Sequence, residues 1–142
     1  MLNITDMAEE LSEITVAQET PETFTANDYV KIVVRAVKQF FVDINYPEEY
    51  HYEYWTTNDE GELCYDRDFT VTEERYVEIL AQLKFFEIVS LQYSDMVSYS
   101  TDAYSVANAD KPYANLKDKI EKLEHERRIV FNKMIRYTLG ES

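Results

Sequence analysis

The fold is decided by residues 70–98, which read TVTEERYVEILAQLKFFEIVSLQYSDMVS. Apolar side chains recur in this stretch every three or four residues, the spacing that places them on one side of an α-helix. Thr70 or Thr72 can cap the start of such a helix, because a hydroxyl accepts a hydrogen bond from a free backbone N–H. The pattern predicts a long helix near residues 72–98, with this apolar stripe: Tyr76, Leu80, Leu83, Phe86, Val89, Tyr93 and Met96.

Two further stretches show the same periodicity. Residues 26–45 follow a capping pair, Thr25 with Asp28, and form the first predicted helix. Residues 112–138 form the last one, after a connecting segment at 100–110 that has room for one helical turn. The apolar stripes of these two helices comprise Tyr29, Val33, Val37, Phe40, Phe41 and Ile44 in the first, and Leu116, Ile120, Leu123, Val130, Phe131, Met134 and Ile135 in the last.

A β-hairpin is predicted at about residues 49–70. Aromatic side chains crowd its first half, and Leu63 and Tyr65 recur at even spacing in its second half. The sequence Asn58-Asp59-Glu60-Gly61 between the two halves is typical of a turn between strands. Two strands alone are marginal in water, so the hairpin must lie on the helices or pair with strands of another chain.

Residues 1–24 are expected to form an extended N-terminal arm, since the stretch from Glu19 to Thr23 is polar and has no periodicity. A short amphipathic turn could precede it, because Ile4, Met7, Leu11 and Ile14 form an apolar stripe at spacings of three and four residues. Whether the arm packs on its own domain or on a neighbour stays open. Residues 25–142 are expected to form one domain. The predicted fold is therefore mostly α: a small bundle of three main helices with an inserted β-hairpin and an extended N-terminal arm.

No pattern of catalytic or metal-binding residues is visible. His51 and His125 are far apart and neither has a ligand at metal-site spacing. Cys64 stands between Glu62 and Asp66, whose charges disfavour a thiolate nucleophile. With only two glycines, the chain has no Gly-rich phosphate loop. We therefore expect no enzyme activity, no metal and no cofactor.

The charge of the chain is distributed unevenly. The net charge is −14, and residues 1–80 hold 19 acidic and 5 basic side chains, whereas residues 81–142 hold 9 of each. Binding to DNA phosphates requires clustered Lys and Arg, so a DNA-binding role is disfavoured. The acidity either keeps the protein in solution or marks a face that meets a basic partner or borders sliding DNA. The chain has no apolar stretch of about 20 residues that could span a bilayer and no signal-peptide pattern, so a cytoplasmic origin is expected.

Candidate interface residues come from two regions. The hairpin carries Tyr50, Tyr52, Tyr54 and Trp55, residue types that are enriched at protein interfaces but that also cap small cores, and both interpretations remain open. The last helix is net basic in an otherwise acidic protein, with Arg127 and Arg128 at its centre. The acidic hairpin of one copy could therefore meet the basic helix of the next in a head-to-tail ring.

The order of the elements resembles the neck, or head–tail connector (adaptor), proteins of tailed bacteriophages. The resemblance covers about residues 26–139 and is best over 72–138. It rests on Thr70-Val71-Thr72-Glu73 before Ile79-Leu80-Ala81, on Tyr99-Ser100-Thr101-Asp102-Ala103-Tyr104-Ser105, on Ala107-Asn108 or Ala114-Asn115-Leu116-Lys117, and on the closing Ile135-Arg136-Tyr137-Thr138.

The resemblance implies a structural virion protein that is assembled in the host cytoplasm and located at the neck. Such a subunit docks beneath the portal protein in a ring of twelve copies and presents a surface to tail or tail-completion proteins. DNA passes through the lumen of the ring without specific binding, and no membrane is involved. An acidic lumen has a physical purpose there, because like charges keep phosphates from adhering.

An acidic inhibitor is the alternative function: a DNA-mimic protein that binds a host nuclease or DNA-binding protein. The net charge of −14 fits that class. Regularly spaced carboxylates on an exposed face would favour the inhibitor, and a flat protomer with an exposed arm and an aromatic edge would favour the ring.

Overall fold

The described part of the chain forms four helices and a small antiparallel sheet, so the predicted mostly helical bundle with an inserted hairpin is confirmed. The computed structural model describes the backbone of residues 1–45, 54–99 and 103–138, and the side chains of residues 1–45, 54–95 and 115–135. The elements in chain order are β1 (Leu2–Asn3), α1 (Ile4–Ile14), α2 (Ala26–Asp43), β2 (Trp55–Thr57), β3 (Leu63–Tyr65), α3 (Val71–Tyr99) and α4 (Ala103–Thr138).

The helices pack in sequence order. α2 lies between α1 and α3, and α3 packs against α4. α3 and α4 are antiparallel, because Arg75 near the start of α3 pairs with Glu126 at 2.8 Å, whereas Lys119 lies 5.5 Å from the ring centre of Phe86 further along. A groove lies between the neighbouring helices α2 and α3.

Both central helices begin where a local capping signal places them. At α2, the Asp28 backbone N–H donates to the Thr25 hydroxyl at 3.2 Å, and the Thr25 N–H donates to the Asp28 carboxylate at 2.8 Å. Thr70 and Glu73 form the same reciprocal pair before α3, at 3.1 and 2.9 Å. α2 ends at Asp43, as the chain reaches Asn45 with a positive φ of 57°.

The prediction of an extended N-terminal arm is wrong for residues 2–14. Leu2 and Asn3 pair with β3, and the following residues form α1, which Asn3 caps through its side chain. Of the four positions expected to form the apolar side of a short amphipathic turn, Ile4, Met7 and Leu11 lie on the buried face of this helix, whereas Ile14 is exposed. Ile4 is fully buried, and Leu11 is nearly so. Burial of this apolar face, rather than local propensity, fixes the segment on its own domain.

The start of the last helix was also predicted incorrectly. α4 begins at Ala103, so most of the expected connecting segment at 100–110 is helical, and Pro112 lies inside the helix rather than in its first turn. The predicted end near residue 138 is confirmed. α3 ends at Tyr99 and α4 begins at Ala103, and the two helices pack against each other as an antiparallel pair.

The predicted β-hairpin is present but short. β2 and β3 pair antiparallel, with Trp55 opposite Tyr65 and Thr57 opposite Leu63. Gly61 occupies the turn with a φ of +80°, a conformation that favours glycine. β1 adds a third strand on the other side of β3, giving the order β1-β3-β2. The hairpin is therefore supported by the N-terminal residues of the same chain, which pair with it as a third strand.

One hydrophobic core joins the sheet to the helices. Tyr65 of β3 is fully buried, and its ring lies 5.1 Å from that of Phe41 on α2. Phe40 contacts Phe69 at 5.5 Å and Tyr76 at 6.2 Å. Tilted and edge-on pairs of this kind are the arrangements that aromatic rings prefer. Much of the aromatic content of the chain therefore stabilises the fold.

Candidate protein interface

A basic groove lies between α2 and α3, with one side closed by α4. It encloses about 510 Å³. Its charged lining consists of four basic side chains and one acidic one, although the protein as a whole is strongly acidic. Arg35 and Lys38 come from α2, Lys84 and Glu87 from α3, and Arg127 from α4. The apolar floor is made of Ala36, Val42, Leu80 and Leu83.

The basic residues of α2 reach the groove through helical spacing. Lys31, Arg35 and Lys38 follow one another at four and three residues, so they share one face of the helix. Arg35 also lines a second, smaller cavity of about 230 Å³ that continues between α2 and α3 toward Lys31. Within the described residues neither Arg35 nor Lys84 forms an ion pair. Their charges are therefore available to a bound anion.

Arg127 is held at the groove by a polar cluster that joins three helices. Its guanidinium donates to the Asp43 carboxylate of α2 at 2.7 Å and to the Tyr76 hydroxyl of α3 at 3.2 Å. The Tyr76 hydroxyl in turn donates to Asp43 at 2.5 Å. Because Asp43 keeps only 13% of its side-chain surface exposed, the pair is largely shielded from water.

The pKa values of the cluster reflect this environment. Burial raises the pKa of Tyr76 to about 12, and the hydrogen bond to Asp43 adds to the rise. Burial alone would lower the pKa of Arg127, but the hydrogen bonds to Tyr76 and Asp43 outweigh it and raise that pKa above its ordinary value. At neutral pH the Tyr76 phenol is therefore protonated and the Arg127 guanidinium is charged.

α1, which also packs against α2, carries an acidic and partly apolar surface. Asp6, Glu9, Glu10 and Glu13 are exposed along α1. Two large apolar side chains at its C-terminal end also face solvent: Ile14 is 61% exposed and Val16 81%. We call residues 9–16 the α1 knob.

Near the start of α1, the carboxylates approach the hairpin turn. The pKa of Asp6 is raised, first by partial desolvation and then by the neighbouring charge of Glu62. The pKa of Glu62 is lowered, chiefly because the Asn58 side chain donates to its carboxylate. Negative charge therefore extends from α1 to the turn between β2 and β3.

The structure describes four of the six interface residues predicted from the sequence. Tyr50 and Tyr52 fall outside the described residues. Tyr54 and Trp55 are half-buried beside Tyr65, with ring centres 5.8 and 5.0 Å from it. Arg127 lines the basic groove, and Arg128, one residue on, is exposed.

Sequence reasoning missed Arg35, Lys38 and Lys84, which define the groove with Arg127. A signal for them existed: three of the five basic residues in the acidic half of the chain lie at 31, 35 and 38, on one helical face. The exposed Ile14 and Val16 were also missed, because Ile14 was assigned to an apolar stripe.

Over the described residues, no cluster of three or more histidine, cysteine or acidic side chains has a geometry that could hold a metal ion. In the same part of the chain no helix combines the length and apolar character needed to cross a bilayer. Comparison with known proteins finds no matching family model, no similar curated protein and no similar solved structure.

Proposed function

We propose that this protein is a structural assembly subunit, and specifically a neck or head–tail connector subunit of a tailed bacteriophage that docks on the portal ring and bridges capsid to tail. The observation that carries the proposal is the separation of charge on one small domain. A basic groove lies between α2 and α3, while the exposed face of α1 is acidic. Together with the resemblance in the order of elements, this separation favours a protein that works by docking.

Complementary charges suit a subunit that repeats around an axis. A protomer with two unlike surfaces can bind the next one head to tail, and such contacts close into a ring when the rotation permits. Charge complementarity sets the register of the contact and disfavours wrong partners. The remaining negative surface, part of a net charge of −14, would repel DNA phosphates and so let a genome pass without adhering.

The proposal is tested by capture of a tagged form of the full chain from cells producing the phage, with mass spectrometry of the proteins retained. We expect a portal protein and tail-completion proteins in the captured material. The matched control is the same chain with Arg35→Glu and Lys84→Glu. These substitutions reverse the charge at the rim of the groove, and we expect the fold to be retained. If the unaltered chain captures no virion component, the neck function is wrong.

One observation favours a second function, that of an acidic inhibitor. Asp6, Glu9 or Glu10, and Glu13 recur at three and four residues along α1, and all are exposed. Carboxylates at this spacing lie about 5–6 Å apart on a helix surface, a regular negative row of the kind a DNA mimic presents. The same capture experiment separates the two functions, because an inhibitor retains a single host nuclease or DNA-binding protein and no virion component.

A further inference from the structure

We infer that the basic groove between α2 and α3 receives the α1 knob of a second copy of this chain. The inference rests on the assembly function proposed above and names the contact by which copies join. The groove is basic and the knob is acidic, and both include exposed apolar surface. The two surfaces lie on different elements of the domain. The contact is therefore head to tail, and a pair of copies joined by it still has one free groove and one free knob.

The groove has the chemistry to bind an acidic segment with apolar side chains. Arg35 and Lys84 stand on opposite helices at its rim and have no carboxylate partner in the described residues. Ala36, Leu80 and Leu83 of the apolar floor between them are buried, so the exposed apolar surface there is mainly that of Val42, which is 63% exposed. An inorganic anion or a nucleic-acid phosphate would pair with the two basic side chains at the rim but leave the apolar surface of Val42 exposed to water. An apolar side chain of a partner would cover that surface.

The α1 knob presents the complementary set of groups. Glu10 and Glu13 carry negative charge, and Ile14 and Val16 place apolar surface beside them. Two large exposed apolar side chains, two residues apart, offer the kind of anchor that fills a pocket at a protein interface. A long nucleic acid fits the groove less well, because the net charge of −14 repels a polyanion.

The knob cannot turn back into its own groove, because the chain after it is tied elsewhere. The Lys119 ammonium of α4 donates to the Gln18 side chain at 2.7 Å, and the Tyr93 hydroxyl of α3 donates to the Glu19 carbonyl at 3.1 Å. The groove lining includes no residue of the knob. Docking of the knob must therefore occur between copies.

Disulfide trapping tests the contact. Full-length Val16→Cys and Val42→Cys proteins are mixed under mild oxidation, and the heterodimer is measured against time. We expect it to form roughly tenfold faster than in a mixture of Val16→Cys with Val71→Cys, because docking raises the effective concentration of the two thiols. Val71 is a matched control because it is also a valine, is 85% exposed and does not line the groove. The native Cys64 is buried and does not compete.

Charge reversal provides the second measurement. Arg35→Glu with Lys84→Glu in the Val42→Cys protein should reduce the trapping rate to that of the Val71 control. Adding Glu10→Lys with Glu13→Lys to the Val16→Cys protein should restore a large part of it. Circular dichroism of each variant shows that the fold is retained. A Val16–Val42 rate equal to the control, or a rate that charge reversal leaves unchanged, overturns the inference.

The two proposals fail in different ways. If trapping shows no preference but the groove reversal abolishes capture of the portal protein, the groove binds another virion protein and only the copy-to-copy contact is wrong. If trapping succeeds and no virion component is captured, the chain self-associates in another setting and the neck function is wrong.

Discussion

Tyr76 occupies the point where three helices meet, and its hydroxyl group links an aspartate to an arginine. Its ring faces Phe40 on one side and Phe131 on the other, at 6.2 and 5.8 Å between centres. The side chain thus belongs to the apolar core while its oxygen belongs to the polar cluster with Asp43 and Arg127. Because Tyr76 is anchored in the core and bonded to Arg127, it holds the Arg127 side chain at the groove. The cluster that stabilises the fold therefore also positions a residue of the candidate interface.

Replacing Asp43 should destabilise the protein more than its partial exposure suggests. Asp43→Asn leaves the Arg127 guanidinium shielded without a carboxylate, and the loss of charged hydrogen bonds of this kind costs about 1–3 kcal/mol. Urea unfolding measures the free energy of unfolding. The control is Glu124→Gln, whose contact with the same arginine is longer, at 4.0 Å, and whose side chain is 37% exposed, so its effect should stay within about 0.5 kcal/mol. Equal effects of the two substitutions would contradict the assigned cluster.

Tyr76 should also make stability depend on pH at the alkaline end. Its pKa in the folded protein is raised to about 12 from an ordinary value of 10.0. A raised pKa favours the protonated form of the folded state, so the contribution is complete below pH 10 and is lost as the pH rises toward 12. The difference in unfolding free energy between the native protein and Tyr76→Phe should therefore shrink over that interval. A difference that stays constant would show that the phenol is not shielded.

At the scale of the elements, the helix starts that depend on local signals were predicted well. The pairs Thr25 with Asp28 and Thr70 with Glu73 act within four residues, so no knowledge of the rest of the chain is needed to locate them. The start of α4 and the existence of β1 could not be predicted in this way. β1 exists only because β3 supplies its partner, with Leu2 opposite Tyr65, and strand pairing over such a separation leaves no local pattern.

The capping pair of α2 should contribute measurably to stability. Thr25→Ala removes the hydroxyl that accepts from the Asp28 N–H, and loss of a helix cap typically costs about 1 kcal/mol. The pKa of Asp28 is lowered mainly by the hydrogen bond from the Thr25 backbone N–H. The stability that the Asp28 carboxylate contributes is therefore lost as the pH falls below the ordinary pKa of a carboxyl group. Thermal unfolding of Thr25→Ala against Thr23→Ala, an exposed threonine two residues earlier, isolates the cap. Similar melting temperatures for the two variants would argue against it.

At the scale of the whole molecule, the N-terminal segment is part of the core. Ile4 is fully buried, whereas Ile14 on the same helix is 61% exposed. Ile4→Ala should reduce the free energy of unfolding by about 2–5 kcal/mol, because it leaves a cavity, and Ile14→Ala should stay within about 0.5 kcal/mol. Denaturant unfolding of both variants measures the contrast. Two small effects would restore the interpretation of residues 1–14 as a loosely attached arm.

The candidate interface was less predictable than the fold. The periodicity of apolar residues identifies a helix from its own sequence, but a groove depends on which helices become neighbours. Arg127 was selected because α4 is rich in basic residues, yet its significance comes from α2 and α3 lying beside it. Trp55 was selected because its residue type is enriched at protein interfaces, and in the structure its half-buried ring packs against Tyr65 at 5.0 Å. Side chains that are identical in the sequence are distinguished only by tertiary packing.

The pairing of β1 with β3 has a consequence for the order of events on the ribosome. Leu2 and the apolar face of α1 are synthesised first, but their partners on α2 and at Tyr65 come later in the chain. Synthesis at about 5–20 residues per second leaves this face uncovered for about 3–12 s. During that interval it is open to chaperones and to proteases. A pause in translation before β3 is complete would therefore lower the yield of folded protein, even though the finished domain is unchanged.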